Sequence, residues 1–265
     1  LNQAIELTPS FAEAHGSLGL LLKQKGRSED AKVSLKRAIE LKPEYAEAKH
    51  MLSALLGQTT TTAPQEYIER VFDNFAARFE CSLVNKLKYK IPKVITQIVI
   101  KDSETDTLGS IMDLGCGTGL MGVEIKKFCS HLEGVDLSNN MLNKAREKNV
   151  YDKLIKQDIV TYLSNETLNF DYFISTDVFI YIGDLFDVFQ LIKSRNKKGG
   201  KLVFSTEHRE GDTFFLEQSG RYSHSKNYID TLCKRFGYKV RHFETQNLRK
   251  EKNQFVKGGL YILDF

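Results

Sequence analysis

The sequence predicts a mixed α/β fold with a mostly parallel sheet and an antiparallel C-terminal hairpin, preceded by a small all-α segment. Strand-like and helix-like runs alternate from Ser110 onward, which is the pattern of a parallel sheet covered by helices on both faces. The stretch 238–265 breaks this alternation with two consecutive strand-like runs, which predict the hairpin. Residues 1–57 repeat a helical pattern instead, and this repeat predicts the separate all-α segment.

The N-terminal repeat is visible in two similar stretches, "IELTPSFAEA" (5–14) and "IELKPEYAEA" (39–48), which are offset by 34 residues. Small and large apolar residues between them are spaced for a pair of packed helices, and the segment resembles a tetratricopeptide (TPR) repeat. Isolated arrays usually need about three repeats to be stable. Because the chain also opens within a helix, we expect part of a longer array that is supported by the residues that follow it.

A polar linker separates this segment from the rest of the chain. "GQTTTTAP" (57–64) is rich in β-branched residues and ends in a proline, which is typical of a connection. We therefore expect a TPR segment at 1–57, a linker at 58–64 and an α/β domain at 65–265. Thr62 and Gln65 fit a capping box for a helix that begins the domain and has one apolar face.

The α/β domain contains alternating predicted elements. The predicted strands lie at 110–115, 131–137, 152–158, 169–177 and 201–207. The predicted helices lie at 119–128, 139–148, 183–195 (beginning at a cap-like Asp184) and 227–237, and the hairpin strands at 238–246 and 258–265. In a doubly wound parallel sheet the ligand site lies at the carboxyl ends of the strands.

The glycine-rich stretch "IMDLGCGTGLMG" (111–122) follows the first predicted strand and fits two cofactor motifs. Counted from Gly117 to Gly122 it reads G-x-G-x-x-G, the spacing associated with dinucleotides. Counted from Asp113 to Gly119 it reads D-x-G-x-G-x-G, the spacing associated with S-adenosylmethionine (SAM). The glycines alone leave hydride transfer and methyl transfer open, because G-x-G-x-x-G also arises by chance.

Four observations favour methyl transfer. Asp113, at the end of the first strand, would repel a pyrophosphate but attract the positive sulfonium and ammonium groups of SAM. Asp136 ends the second strand, where it can accept hydrogen bonds from ribose hydroxyls, although NAD enzymes use the same device. Asp158 ends the third strand, where it can accept a bond from the adenine amine. The closing antiparallel hairpin suits a methyltransferase sheet rather than a second dinucleotide-binding half.

The region from about Tyr67 to Phe265 resembles a class I SAM-dependent methyltransferase, an enzyme with a Rossmann-like seven-stranded sheet. The motifs "VFDNFAARFE", "DLGCGTGL", "GVDLSNNML", "DVFIYIGDL" and "GRYSHSKNYI" together resemble the predicted TPR-repeat-containing methyltransferases, which are related to enzymes of quinone and biotin pathways. The resemblance implies that SAM is the cofactor. It also implies the cofactor site: Asp113, Gly115 and Gly117 at the methionine end, Asp136 and Leu137 at the ribose, Asp158 and Ile159 at the adenine, Asp177 at the methionine ammonium or the acceptor, and Phe72 and Phe79 in a lid helix. Met141 is a further candidate for adenine contact, with packing on the sheet as the alternative.

Candidate acceptor-site residues follow the fourth and fifth strands: Tyr181, Glu207, His208, Arg221, Tyr222 and His224. The catalytic candidates among them are Tyr181, Arg221 and His224. A general base is needed only where the acceptor loses a proton, as a phenol or an alcohol does. His224 can take a proton near neutral pH, although a hydrogen-bonded structural role is the alternative for a single histidine. Arg221 can bind an acceptor carboxylate or phosphate through two parallel hydrogen bonds. No metal is predicted, because Asp177 lacks an obvious second acidic ligand nearby.

The leading functional prediction is methyl transfer to a small-molecule acceptor, anionic because of Arg221. "DVFIY" (177–181) stands where enzymes that methylate base amines carry [DNS]-P-P-[YFW], so a nucleic-acid acceptor is disfavoured. One alternative is a protein or RNA methyltransferase whose TPR segment recruits the target through a protein contact. Another is a SAM-binding module without catalytic activity.

Composition restricts the class of protein and its cellular compartment. The chain is 41% hydrophobic and 27% charged, with a net charge of +4, which suits a folded domain with a charged surface. No apolar run approaches the roughly 20 residues of a membrane helix. Four scattered cysteines and the absence of a charged-then-apolar leader after Leu1 predict a reduced cytoplasmic protein.

Overall fold

The computed structural model describes residues 1–105, 107–251 and 254–265. Four helices form the N-terminal segment: α1 (Asn2–Leu7), α2 (Ala12–Gln24), α3 (Ser28–Leu41) and α4 (Ala46–Leu56). Gly19 of α2 lies against the side chain of Leu35 in α3, since a Cβ at that glycine would come within 2.7 Å of it. The small residues of the repeat therefore let neighbouring helices pack closely, as the sequence predicts.

The linker leads into α5 (Gln65–Phe75), which is followed by a 3₁₀ turn (Ala76–Arg78), a π-helical segment (Cys81–Lys86) and α6 (Ile91–Asp102). The predicted capping box does not form, because Pro64 takes the N-cap position of α5. Thr62 instead lies in a β-bridge with Ile182 of the α/β domain. The linker is thus hydrogen-bonded to the domain rather than serving only as a spacer; the division at 57 and 64 stays a prediction.

The described residues form nine strands. They are β1 (Ser110–Leu114), β2 (His131–Asp136), β3 (Lys153–Lys156), β4 (Tyr172–Ser175), β5 (Lys201–Arg209), β6 (Phe214–Leu216), β7 (Tyr222–Ser225), β8 (Lys239–Glu251) and β9 (Gln254–Asp264). β3, β2, β1, β4 and β5 are parallel neighbours in that order. β9 pairs antiparallel with β5 and with β8, so the seven-stranded sheet and its closing hairpin are confirmed. The short strands β6 and β7 are an addition that the sequence did not reveal.

Helices connect the parallel strands as the alternation predicts: α7 (Leu120–Ile125), α8 (Asn139–Glu147), α9 (Ile159–Asn165), α10 (Phe186–Arg195) and α11 (Lys226–Phe236). Side chains alternate across the sheet, so Met112 and Leu114 pack in one core while Ile111 packs in the other. α10 begins two residues after the predicted Asp184 and has Leu185 as its N-cap, while Asp184 Oδ1 accepts the Phe186 amide at 3.0 Å. In the part of the chain that is described, no helix is both long and apolar enough to cross a membrane.

The N-terminal helices dock on the turn before β7. His50 Nε2 of α4 donates to the Gly220 carbonyl at 2.9 Å, and Lys23 Nζ of α2 donates to the Ser219 carbonyl at the same distance. Met51 fills the space beside Gly220, where a Cβ would meet its methyl group at 2.6 Å. This docking places the TPR segment directly behind the residues that lead to Arg221.

Candidate active site

A cavity of about 770 Å³ opens at the carboxyl ends of β1, β2 and β4. Its walls come from the glycine-rich turn after β1, the ends of the neighbouring strands, helix α5 and the linker. The cavity lies within the size range of small-molecule and cofactor sites. Its position agrees with the rule that ligands of open parallel sheets bind at the carboxyl ends of the strands.

The turn after β1 has three left-handed glycines: Gly115 (φ 76°), Gly117 (φ 53°) and Gly119 (φ 87°). Glycine adopts this conformation without the strain of a side chain. At Gly117 a Cβ would meet nothing within 4 Å, so the backbone there borders open space. Gly122, the last glycine of the dinucleotide reading, instead packs against a tyrosine ring. Packing therefore explains the G-x-G-x-x-G coincidence.

Asp136, at the end of β2, organises this turn. Its Oδ2 accepts the Gly117 amide at 2.8 Å, and its Oδ1 accepts the Ser138 amide at 2.8 Å. Burial raises the pKa of Asp136 to about 6, and the two amide donors act in the opposite direction. Leu137 and Met141 line the cavity beside it, and Met141 is also buried at the start of α8. Both readings of Met141 are thus compatible with its place.

Asp158 has two structural roles. It is the N-cap of α9, where Oδ1 accepts the Thr161 amide at 2.9 Å, and it also lines the cavity. The cap uses one carboxylate oxygen, so the other is open to a ligand amine. Ile159 lines the cavity next to it and supplies an apolar surface for a flat ring.

Asp113 lies beneath the turn rather than in the cavity wall. Its Oδ2 accepts the Tyr151 hydroxyl at 2.6 Å, while Oδ1 is buried and has no hydrogen-bond partner among the described residues. Burial raises the pKa of Asp113 to about 7. Asp113 therefore does not make the direct contact with the cavity that the sequence predicts. It lies behind Gly115 and Gly117, which do line the cavity.

Helix α5 covers the other side of the cavity. Phe72 of α5 and Phe79 both line it and meet edge to face with their ring centroids 6.1 Å apart. Phe79 follows the 3₁₀ turn beyond the end of α5, so the two do not share one helix as predicted. Asp73 ties the helix to the start of α8 by accepting the Ser138 hydroxyl at 2.5 Å and the Asn140 amide at 3.2 Å. The placement fits a helix that covers a ligand, and the role of these two phenylalanines stays a prediction.

A buried cluster of charges forms one end of the cavity. Arg249 Nη1 donates to Asp177 Oδ2 at 2.6 Å, and its Nη2 pairs with Glu207. Arg221 Nε donates to the same Glu207 oxygen at 2.6 Å, and its Nη2 pairs with Glu251. Because Glu207 joins the two arginines, this charge cluster holds both guanidinium groups in fixed positions against the cavity.

Asp177 lies at the junction between this cluster and the cavity. It has a left-handed backbone (φ 61°) although it is not a glycine, which is a strained conformation of the kind found at functional sites. Burial raises the pKa of its carboxyl, and the Arg249 guanidinium acts against that rise. Its Oδ1 has no hydrogen-bond partner in the described chain. One oxygen of Asp177 is therefore unused by the protein.

Tyr181 and Arg221 line the cavity, as expected for acceptor-site residues. Tyr181 meets Phe72 edge to face at 5.4 Å, so it joins the helix α5 wall to the charge cluster. Arg221 is already paired with two carboxylates, of which Glu251 is the more exposed. An incoming anion would therefore compete with Glu251 for this guanidinium.

His224 corrects the prediction of a catalytic base. It lies fully buried in β7, and its Nε2–H donates to the carbonyls of Ile182 (3.0 Å) and Gly183 (2.9 Å) behind the cavity wall. Burial lowers the pKa of His224 to about 4, so the ring is neutral at physiological pH. The histidine supports the turn after Tyr181, which is the structural alternative.

This placement predicts a pH effect on stability rather than on catalysis. Because the folded pKa of about 4 lies below the reference value of 6.5, the neutral ring stabilises the fold above pH 6.5. That stabilisation, roughly 3 kcal/mol from the pKa difference, is lost as pH falls from 6.5 towards 4. Urea denaturation across this range should show the loss in the wild type and a smaller one in His224→Gln. The exposed His15→Gln serves as control, and a step in the pH–rate profile that vanishes only in His224→Gln would restore the catalytic assignment.

The sequence interpretation missed Arg249 and the linker wall, whereas Glu207 was among its acceptor-site candidates. Arg249 looked like an ordinary polar position of the hairpin. The Thr61 carbonyl accepts the amides of Gly183 (2.9 Å) and Asp184 (2.8 Å), and Thr61 to Ala63 line the cavity. The sequence signal for the linker wall was the linker's length and its polar, β-branched composition, because such a segment can pair with a strand or a turn.

Comparison with protein families agrees with this geometry. Residues 106–255, more than half of the chain, match the model of a methyltransferase domain. The chain therefore belongs to the methyltransferase domain family and is an enzyme of that class. Residues 12–45 match a tetratricopeptide repeat, which confirms the repeat predicted in the N-terminal segment.

Two relatives illustrate the similarity. An uncharacterized methyltransferase of Schizosaccharomyces pombe is 25% identical over 56% of this chain, and the match spans 59% of its own length. A ubiquinone biosynthesis O-methyltransferase of Coxiella burnetii is 27% identical over 69% of this chain and 73% of its own length.

Solved structures confirm the fold. Magnesium protoporphyrin IX methyltransferase from Synechocystis, solved with bound S-adenosylhomocysteine (SAH), superposes with a TM-score of 0.57 over 76% of this chain and 98% of that one, at 13% identity. A second structure of that enzyme holds SAM. The cofactor predicted from the sequence is thus the one bound in structures of this fold.

Proposed function

We propose that the protein transfers a methyl group from SAM to a small-molecule acceptor. The observation that carries this proposal is a single cavity in which a glycine turn, the acids Asp136 and Asp158 and the charge cluster face one another. Its volume of about 770 Å³ leaves room for a second small ligand beside a nucleoside cofactor. As a methyltransferase family member, the chain needs such a second site for the acceptor.

The residues present fit SAM. Asp158 has an open carboxylate oxygen for the adenine amine, and Asp136 has lone pairs left for ribose hydroxyls. The open space at Gly117 lets a ligand approach the backbone, and the unpaired oxygen of Asp177 suits a positively charged ammonium group. SAM supplies a methyl group already activated on a sulfonium, so the protein's contribution is alignment and exclusion of water.

The chain's own residues would then act on the acceptor. Phe72, Phe79 and Tyr181 give that part of the cavity an apolar wall, which suits a flat or aliphatic acceptor and keeps water out. If the acceptor is a phenol or an alcohol, its proton must leave as the new carbon–oxygen bond forms and the carbon–sulfur bond breaks. Asp177 can accept that proton only where its unpaired Oδ1 is turned to the acceptor and not to the methionine ammonium, because Arg249 holds its other oxygen.

An anionic acceptor is the second part of the proposal. Arg221 and Arg249 both line the cavity, and each guanidinium has five donors of which the charge cluster uses two. A carboxylate or phosphate can therefore bind at the remaining donors, with Glu251 as the exposed counter-ion that gives way.

A protein or RNA acceptor recruited by the TPR segment is the alternative, and the family match at 12–45 is the observation in its favour. Deleting residues 1–57 cannot separate the two functions, because α4 docks on the turn that leads to Arg221. The acceptor itself must be identified.

Transfer of labelled methyl groups provides that test. The purified protein is incubated with SAM labelled in its methyl group and a cell extract, and the extract is then divided into small molecules, proteins and RNA. We expect the label in the small-molecule fraction and its product retained on an anion-exchange resin. Label in protein or RNA would favour the alternative, and a small-molecule product that is not retained would remove the anionic assignment. Asp136→Ala serves as the inactive control.

A further inference from the structure

Tyr151 occupies a slot that three glycines leave open. It lies just before β3, and its ring atoms stand where side chains at Gly119, Gly122 and Gly134 would be, at 3.1, 2.5 and 2.9 Å from their ideal Cβ positions. Two of these glycines belong to the turn and helix after β1, and the third to β2. Tyr151 therefore packs the cofactor turn against the sheet, and none of the three positions accepts a larger residue without displacing it.

The hydroxyl of Tyr151 joins the same parts by hydrogen bonds. It donates to Asp113 Oδ2 at 2.6 Å and accepts the Gly122 amide at 3.2 Å. Asp113 has no other side-chain partner among the described residues, since its Oδ1 is buried and unpaired. The titratable groups that interact with this carboxyl are Tyr151, Asp136, Cys116 and Tyr89.

A carboxylate in this position acts on the two forms of the cofactor unequally. SAM carries a net positive charge, through its sulfonium and ammonium groups against one carboxylate, whereas SAH has lost the sulfonium charge. A buried negative charge beneath the glycine turn attracts the first more than the second, because the protein interior screens charge poorly. After methyl transfer the same carboxylate no longer favours retention, which assists product release.

We propose that Tyr151 is a positioning residue which, through its bonds to Asp113 and Gly122, holds a charged carboxylate under the glycine turn and makes the site prefer SAM over SAH. This inference rests on the proposed function. Burial raises the pKa of Asp113 to about 7, and the Tyr151 hydroxyl opposes that rise. The preference for SAM should therefore grow as pH increases through about 7 and should weaken when the hydroxyl is removed.

The test is the ratio of the SAH and SAM dissociation constants, measured by calorimetry below, at and above pH 7. In the wild type the ratio should rise with pH. In Tyr151→Phe, which keeps the ring in its slot, we expect the ratio at neutral pH to fall about threefold to tenfold, as for the loss of a charge-assisted hydrogen bond. Its pH dependence near pH 7 should also move to higher pH, and in Asp113→Asn the part near pH 7 should disappear while the part that Asp136 contributes near pH 6 stays.

Tyr238→Phe is the matched control, because its buried hydroxyl bonds the Phe189 carbonyl in the core at 2.8 Å, remote from the turn. It should lower the melting temperature and leave the ratio unchanged. Equal losses of SAM and SAH affinity in Tyr151→Phe, or an unchanged ratio, would overturn the inference while the proposed function stands. A wild-type protein that binds neither ligand would overturn both.

Discussion

Replacing Asp136 with alanine should reduce SAM affinity by about a hundredfold or more. The carboxylate accepts the amides of Gly117 and Ser138 at 2.8 Å each, so its loss frees the glycine turn and leaves two amides without their partner. It also removes the carboxylate that we propose accepts the ribose hydroxyls. Each of these effects costs about 1–3 kcal/mol, and together they reach the predicted range.

Calorimetric titration of SAM and SAH into the variant measures this loss. Asp230→Ala is the matched control, since it removes an aspartate from the surface of α11 whose partner there is Lys226. The control should bind both ligands like the wild type. If Asp136→Ala kept SAM affinity within a few-fold while remaining folded by circular dichroism, the ribose would have to bind elsewhere.

The sheet and its three strand-end acids could be predicted because their signals are local. Apolar runs of strand length alternate with amphipathic helices, and parallel strands end at one edge, so Asp113, Asp136 and Asp158 had to come close to one another. No local sequence pattern shows how far each acid lies from the cavity. Asp113 and Asp136 lie one strand apart, yet Tyr151 covers the first and leaves the second at the cavity.

The charge cluster could not be predicted, because its members come from distant parts of the chain. Asp177 follows β4, Glu207 lies in β5 two residues before its end, and Arg249 lies near the end of β8 beyond a register shift in its pairing with β9. Only the antiparallel insertion of β9 beside β5 brings them together. The prediction that His224 is a catalytic base was wrong for a related reason, because nothing in "YSHS" shows that β7 is buried on both faces.

Removing the Glu207 carboxylate should have the largest effect on stability. Glu207 is buried and pairs with both Arg221 and Arg249, so Glu207→Ala leaves two buried guanidinium groups with one carboxylate fewer. Loss of one partner from a buried ion pair costs about 3–5 kcal/mol, because the remaining charge has no compensation. Urea denaturation should show a midpoint shift of that size with an unchanged slope. Glu210→Ala, at an exposed acid directly after the end of β5, is the control.

A double-mutant cycle separates this network from a general loss of packing. If the cost arises from the unpaired Arg249, the variant Glu207→Ala/Arg249→Met should be less destabilised than the sum of the two single changes. A merely additive result would mean that the lost side-chain volume, rather than charge, accounts for the effect.

Since the cluster borders the acceptor end and not the adenine end, SAH affinity in the folded Glu207→Gln variant should stay within about twofold of the wild type, whereas methyl transfer should fall by tenfold or more. Equal losses of SAH affinity and transfer would place the cluster in cofactor binding instead.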